Sequence, residues 1–137
     1  INDHIDGLKK SVGLTLLEPH INYTNHVFKA LEAGIDIKGI AHITGGGLIE
    51  NIPRVLPNSY GAKIKKNSWP KLPVFDVMQN IGEIEQDEMY RAFNMGIGMV
   101  FIVKKEDVNR VKDSLEDISM VYEIGNIDTD SNGVDIS

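Results

Sequence analysis

Cysteine is absent from the 137 residues. Disulfide frameworks, thiol nucleophiles and cysteine-ligated metals are therefore excluded, and a cytoplasmic location is the natural expectation. Long hydrophobic runs are absent too. The longest, such as Gly96 to Val103, fall well short of the roughly 20 residues that a membrane helix needs. The opening residues INDHIDGLKK lack the basic-then-apolar layout of a signal peptide. They also lack an initiating Met, which suggests a processed chain or an excised piece. Basic residues are in deficit, 14 Lys+Arg against 20 Asp+Glu, for a net charge of −6. The few cations are not clustered, so nucleic acid would be repelled rather than bound.

What is present is the composition of one globular domain. At 137 residues with 42% hydrophobic and 25% charged side chains, the chain can bury a core without staples. Residues 1–16, interrupted by Gly7 and Gly13, read as a linker or terminal arm, and residues 17–137 as the domain. A helix is expected from about Tyr23 to Ala33, because Tyr23, Val27, Ala30 and Leu31 recur at helical spacing between Asn22 as cap and Gly34 as stop. Residues 37–44, IKGIAHIT, read as a strand with apolar residues on both faces, hence one covered on both sides. A strand near 60–65 is followed by helical pieces at about 73–81 and 86–94. GIGMVFIVK at 96–104 reads as a strand, 106–117 as a helix with the stripe Val108, Val111 and Leu115, and 119–124 as a further strand before a polar tail. Strands alternating with helices predict an α/β or α+β fold, a mixed sheet packed by helices.

The chemistry concentrates in AHITGGGLIENIPRVLP, residues 41–57. Gly45, Gly46 and Gly47 stand between a strand and a helix that Pro53 and Pro57 keep short. Three successive glycines are costly in backbone entropy, so the junction needs bare backbone. Two readings satisfy that need. One is a tight turn that packs helix on strand; the other is a cradle whose N–H groups converge on a phosphate at a helix N-terminus. The string is neither the P-loop pattern nor the dinucleotide GxGxxG.

His42 and Thr44 lie two apart on one strand face. A strand histidine is commonly a hydrogen-bonded core residue, but beside the turn His42 is also placed to serve as acid–base. Thr44 offers a hydroxyl, or simply caps the turn. Asn51 and Arg54, three apart, share a helix face. Arg54 suits a phosphate as well as an intradomain ion pair. Gly96 and Gly98 in FNMGIGM read as a bulge or a close helix crossing, with Met95 and Met99 in the core. Arg91, just upstream, could face solvent or a ligand. His4, His20 and His26 show no metal-ligand spacing, and no structural metal is expected.

Taken together, LLEPHINY, AHITGGGLIENIPRVLP and EMYRAFNMGIGM resemble the carboxy-terminal half of aminoimidazole ribonucleotide synthetase, also called phosphoribosylformylglycinamidine cyclo-ligase. The resemblance covers about residues 16–126. It implies an α/β sandwich related to the ferredoxin-like topology and a place in purine biosynthesis. It also implies ATP-dependent ring closure of formylglycinamidine ribonucleotide, with ATP and magnesium, and potassium beside them, bound mainly by an amino-terminal half whose segments do not occur in these residues. The complete enzyme would be a homodimer and the isolated domain inactive. Carried onto this sequence, it implies His42 as the catalytic residue and Thr44, Gly45, Gly46, Gly47, Asn51 and Arg54 as the phosphate and substrate contacts. Two departures stand out: the family usually has Pro-Thr where this chain has Pro19-His20, and Asn22 replaces a common aliphatic residue. The alternatives are another ATP-using enzyme of the superfamily, such as selenophosphate synthetase, thiamine-monophosphate kinase or the glutamine-dependent synthetase of the preceding purine step, and a non-catalytic domain that binds a phosphorylated metabolite or a partner protein.

Overall fold

The computed structural model describes residues 2–137. Among them are six α-helices and five strands, in the order α1 (Val12–Leu16), α2 (Thr24–Glu32), β1 (Gly39–His42), α3 (Gly47–Asn51), β2 (Gly61–Ile64), α4 (Pro73–Gly82), α5 (Gln86–Ala92), β3 (Met99–Ile102), α6 (Val108–Leu115), β4 (Gly125–Asp128) and β5 (Gly133–Ile136). Short 3₁₀ turns follow α3 at Pro53–Val55 and precede α6 at Lys105–Asp107.

The helix ends follow their sequence signals. The Asn22 side chain accepts the Thr24 N–H at 3.0 Å, so α2 starts just after Tyr23. Gly34, at φ +68°, turns the chain out of α2. Pro73 opens α4 in the first turn, where its missing N–H costs nothing. Asp87 and Glu88 begin α5 and Arg91 ends it, each on the favourable end of the helix dipole.

The strands form two sheets. β1 pairs antiparallel with β3, Gly39 opposite Ile102 and His42 opposite Met99. The second sheet is mixed, in the order β4-β2-β5: β2 is antiparallel to β4 and parallel to β5. Alternation assigns the faces of the β1–β3 sheet. Ala41 and Val100 join the main core, together with Ile43, Leu48, Ile52 and Met89. The opposite face carries Phe101 into a second cluster, where Ala30 of α2 meets Val111 and Leu115 of α6. Both faces of β1 are thus covered along its length until His42, which is exposed at the strand end.

Within residues 1–16 the chain forms a short helix, α1, whose start Ser11 caps by accepting the Leu14 N–H. Three expectations are corrected. Residues 119–124 form no strand. The tail beyond them forms two, because Ile127, Val134 and Ile136 pack on the main core while Asn126 and Asp135 alternate outward. The strand within 96–104 is confined to four residues, since residues 94–97 make a turn closed by the Ile97 N–H on the Asn94 carbonyl. Met95 stands in the left-handed region of that turn at φ +50°, and its carbonyl accepts the Trp69 indole N–H at 2.9 Å.

Candidate functional site

β1 delivers the chain to the glycine turn, and the pairing continues one residue beyond it as the Ile43 N–H bonds the Gly98 carbonyl at 2.9 Å. The turn closes when the Gly47 N–H reaches the Thr44 carbonyl at 3.0 Å. Each glycine meets a different demand. Gly46 caps α3 at φ +95°, a conformation that L side chains rarely adopt. Gly47, at φ +55°, lies so close to the end of α5 that a Cβ there would overlap the Tyr90 and Phe93 carbonyls. Gly45 has neither constraint: nothing lies within 4 Å of where its Cβ would be. Two of the three glycines are therefore explained by the fold, and the third leaves open space above the turn.

Asn51 staples this loop from below. It is 5% exposed, and its amide Nδ2 donates to the Gly47 carbonyl at 2.8 Å, with the Gly45 and Thr44 carbonyls at 3.2 and 3.4 Å. Its Oδ1 accepts from Arg54 at 3.0 Å. Arg54 also pairs with Glu50 at 3.7 Å, so this exposed guanidinium has an intradomain role and keeps a free side. With the carbonyls drawn onto Asn51, the Gly45 and Gly46 N–H groups have no hydrogen-bond partner among the described residues. Outward N–H groups on a turn, beside a cation, form the concavity that anions occupy.

Thr44 is exposed at the lip of a shallow depression of about 310 Å³, which His20, Ile43, Phe75, Phe93 and Asn94 complete. A larger cleft, about 460 Å³, runs along the apolar seam between the two sheets and α6. Tyr23, His26 and Gly98 line part of it. The depression beside Thr44, not this cleft, adjoins the glycine turn.

His42 is not a core histidine. Its Nε2 lies 2.9 Å from Nε2 of His20, in the loop before α2. Tyr23 packs edge-on against both, with ring centroids 5.6 Å from His20 and 6.3 Å from His42, and against His26 at 5.1 Å. The Tyr23 hydroxyl rests against Gly98, where any Cβ would overlap it. That contact is why one glycine of FNMGIGM is bare; the other, Gly96, sits at φ +93° in the preceding turn. Burial pushes the Tyr23 hydroxyl above the usual phenol range, so it stays protonated and neutral. In the sequence His20 is marked only by its lack of metal-ligand spacing and by its departure from the family's Pro-Thr, three residues before Tyr23; neither signal pairs it with His42.

Thr44, the three glycines, Asn51 and Arg54 are thus joined in one network, with His42 two residues upstream on the Thr44 side of β1. Arg91 is exposed in the last turn of α5. A family profile described as "AIR synthase related protein, C-terminal domain" matches residues 2–136. The chain belongs to this family. The AIR synthase-related match spans both sheets and all six helices, so β4, β5 and α1 fall within it. Among curated proteins, the chain is 46% identical over 128 residues to the phosphoribosylformylglycinamidine cyclo-ligase of Brevibacillus brevis, covering 93% of this chain and 37% of that protein. The enzyme of the same name from Caldanaerobacter subterraneus is 44% identical over 135 residues, 98% of this chain and 40% of that one. That of Geotalea uraniireducens is 48% identical over 111 residues, 81% and 32% respectively. The chain spans about two fifths or less of the length of these relatives.

Proposed function

We propose that this chain is the carboxy-terminal domain of a phosphoribosylformylglycinamidine cyclo-ligase, with residues 17–137 as the domain and 1–16 as the arm leading into it. The reaction closes the imidazole ring of aminoimidazole ribonucleotide from formylglycinamidine ribonucleotide. An amide oxygen is a poor leaving group, and ATP is consumed to activate it. The substrate's own nitrogen then attacks the activated carbon, a step that gains chiefly from orientation.

The observation that carries this reading is the glycine turn stapled by Asn51. Its backbone is fixed before ligand arrives, so unpartnered N–H groups meet phosphate without reorganisation. Thr44 to Gly47 hold a phosphate of the substrate or the phosphoryl being transferred, and Asn51 and Arg54 orient that cradle. His42 acts as hydrogen-bond donor or proton carrier beside it. Among the described residues no three His, Asp or Glu side chains converge as a metal site would require. Magnesium and potassium, as the family resemblance implies, would be held mainly by the amino-terminal half. The complete enzyme would work as a homodimer away from membranes and nucleic acid; no helix among the described residues is long and apolar enough to cross a bilayer.

The test joins this domain to its amino-terminal half and follows ADP formation with formylglycinamidine ribonucleotide, with the substrates of the superfamily relatives in parallel. Turnover with that ribonucleotide alone is expected. Turnover with another substrate instead would assign the glycine turn to the superfamily and sink the cyclo-ligase reading.

A further inference from the structure

The Nε2–Nε2 contact of His20 and His42, 2.9 Å long, has a strict chemical requirement. One imidazole must present N–H and the other a lone pair. Two imidazolium rings would set N–H against N–H, and two unprotonated nitrogens would set lone pair against lone pair. The rings are inclined at 60° with centroids 5.0 Å apart, so the pair is held by this bond and by Tyr23 rather than by stacking. The other titratable ring packed on it is Tyr23, ahead of α2, which His26 of α2 backs from its far side at 5.1 Å. Among the described residues no carboxylate or cation is hydrogen-bonded or ion-paired to either imidazole. Because Nε2 of His42 is committed, only Nδ1 of His42 remains to meet a ligand.

We infer that His20 is a positioning residue for His42, sharing one proton with it and linking it to solvent. This rests on the role of His42 proposed above. In the receptive state His42 carries its proton on Nε2 and donates it to His20, which carries its own on Nδ1. A proton taken from the reacting ligand lands on Nδ1 of His42. The Nε2 proton of His42 crosses to Nε2 of His20, and the Nδ1 proton of exposed His20 leaves to water. One proton enters and one leaves, with no change in the charge of the pair. His20 therefore sets which nitrogen of His42 is basic, and it does so from a position where the family usually has a threonine.

The complete enzyme carrying His20→Gln tests this, since the glutamine can hydrogen-bond His42 but cannot pass a proton. Turnover is expected to fall about 10–100-fold, less than the roughly 10²–10⁴-fold of losing general acid–base catalysis outright, because His42 remains. KM for formylglycinamidine ribonucleotide should stay within about twofold, the mark of a lost transition-state contribution, and the pH profile of kcat should change shape. His20→Ala should regain turnover when imidazole is added. An unchanged kcat and pH profile in His20→Gln, with His42→Gln impaired, would overturn the inference and leave the proposed function standing. Ring ¹⁵N resonances of the wild-type enzyme give a readout independent of activity. If the enzyme turns over no ribonucleotide, the proposed function fails, and these spectra still decide the pair. Nε2 protonated in one ring and unprotonated in the other supports it; the same Nε2 state in both rings refutes it.

Discussion

At the scale of single residues, the triple glycine separates into three positions with different tests. Gly47→Ala forces a Cβ into the Tyr90 and Phe93 carbonyls from a left-handed backbone. A loss of about 2–4 kcal/mol in urea unfolding is expected, combining strain with overpacking. Gly46→Val is a poor probe of binding, because its φ of +95° alone strains the turn. Gly45→Val is the clean one. It should leave the unfolding midpoint nearly unchanged and weaken ribonucleotide binding in the complete enzyme; unaltered affinity would remove the phosphate cradle. Asn51→Leu strands the Gly45 carbonyl and removes the second donor from the Thr44 carbonyl, which keeps the Gly47 N–H, and from the Gly47 carbonyl at the start of α3. The expected cost is about 1–3 kcal/mol, the penalty for leaving buried polar groups unpaired. His42→Gln should lower turnover by about 10²–10⁴-fold if the imidazole carries a proton, whereas a loss of a few-fold would make it structural.

Among the elements, the carboxy-terminal strands depend on one carboxylate. Asp128, at the end of β4, has a side chain only 12% exposed and pairs with Lys63 of β2 at 2.7 Å. It also accepts from the Asp130 N–H and the Ser131 hydroxyl, which shapes the turn that brings β5 to the other side of β2. These partners, Lys63 foremost, hold its pKa down to about 2. The folded chain thus binds this proton less tightly than the unfolded chain, whose aspartate titrates near ~3.9. The support is complete above about pH 4 and is lost as pH falls through about 2. Amide exchange of residues 125–136 should accelerate across that window, and Asp128→Asn should exchange faster at neutral pH with little further change in acid. The same turn explains Gly61, where a Cβ would press on Ser131 and on the Gly133 carbonyl. On the other side of the molecule, α6 depends on Leu115, 3% exposed against α2. Leu115→Ala should cost about 2–5 kcal/mol in thermal or denaturant unfolding.

For the whole molecule, two clusters on opposite faces of the β1–β3 sheet fix where the site stands. The main core anchors α3 through Leu48 and Ile52, both at most 1% exposed, and so holds the glycine turn at the end of β1. The second cluster seats α2, and with it Tyr23, over the opposite face. The Arg110 side chain ties the two helices of that cluster, donating to the Ala33 carbonyl at 2.8 Å while pairing with buried Asp107. His20 and His42, 22 residues apart in the chain, meet because the loop before α2 returns to the end of β1. Substitutions that loosen α2 from α6 should therefore disturb the histidine pair before they disturb the glycine turn. In Leu115→Ala, ring resonances of His20 and His42 should shift while amide signals of Thr44 to Gly47 stay in place.

The sequence alone was enough to determine the α/β alternation, helices α2, α4, α5 and α6, the strand–glycine–helix junction and the family resemblance. These rest on local signals: apolar periodicity, caps, prolines and a contiguous motif. Asn51 and Arg54 were legible as neighbours from their three-residue spacing, although α3 ends at Asn51 and Arg54 reaches it from the 3₁₀ turn that follows. β4 and β5 were obscured by their polar setting, for a strand of four residues carries few apolar positions and draws its stability from β2. The reason for each glycine was decided only by what packs beside it, carbonyls of α5 for Gly47 and the Tyr23 hydroxyl for Gly98. The partner of His42 was likewise decided only in three dimensions, because no local pattern records which side chain a loop brings back to a strand end.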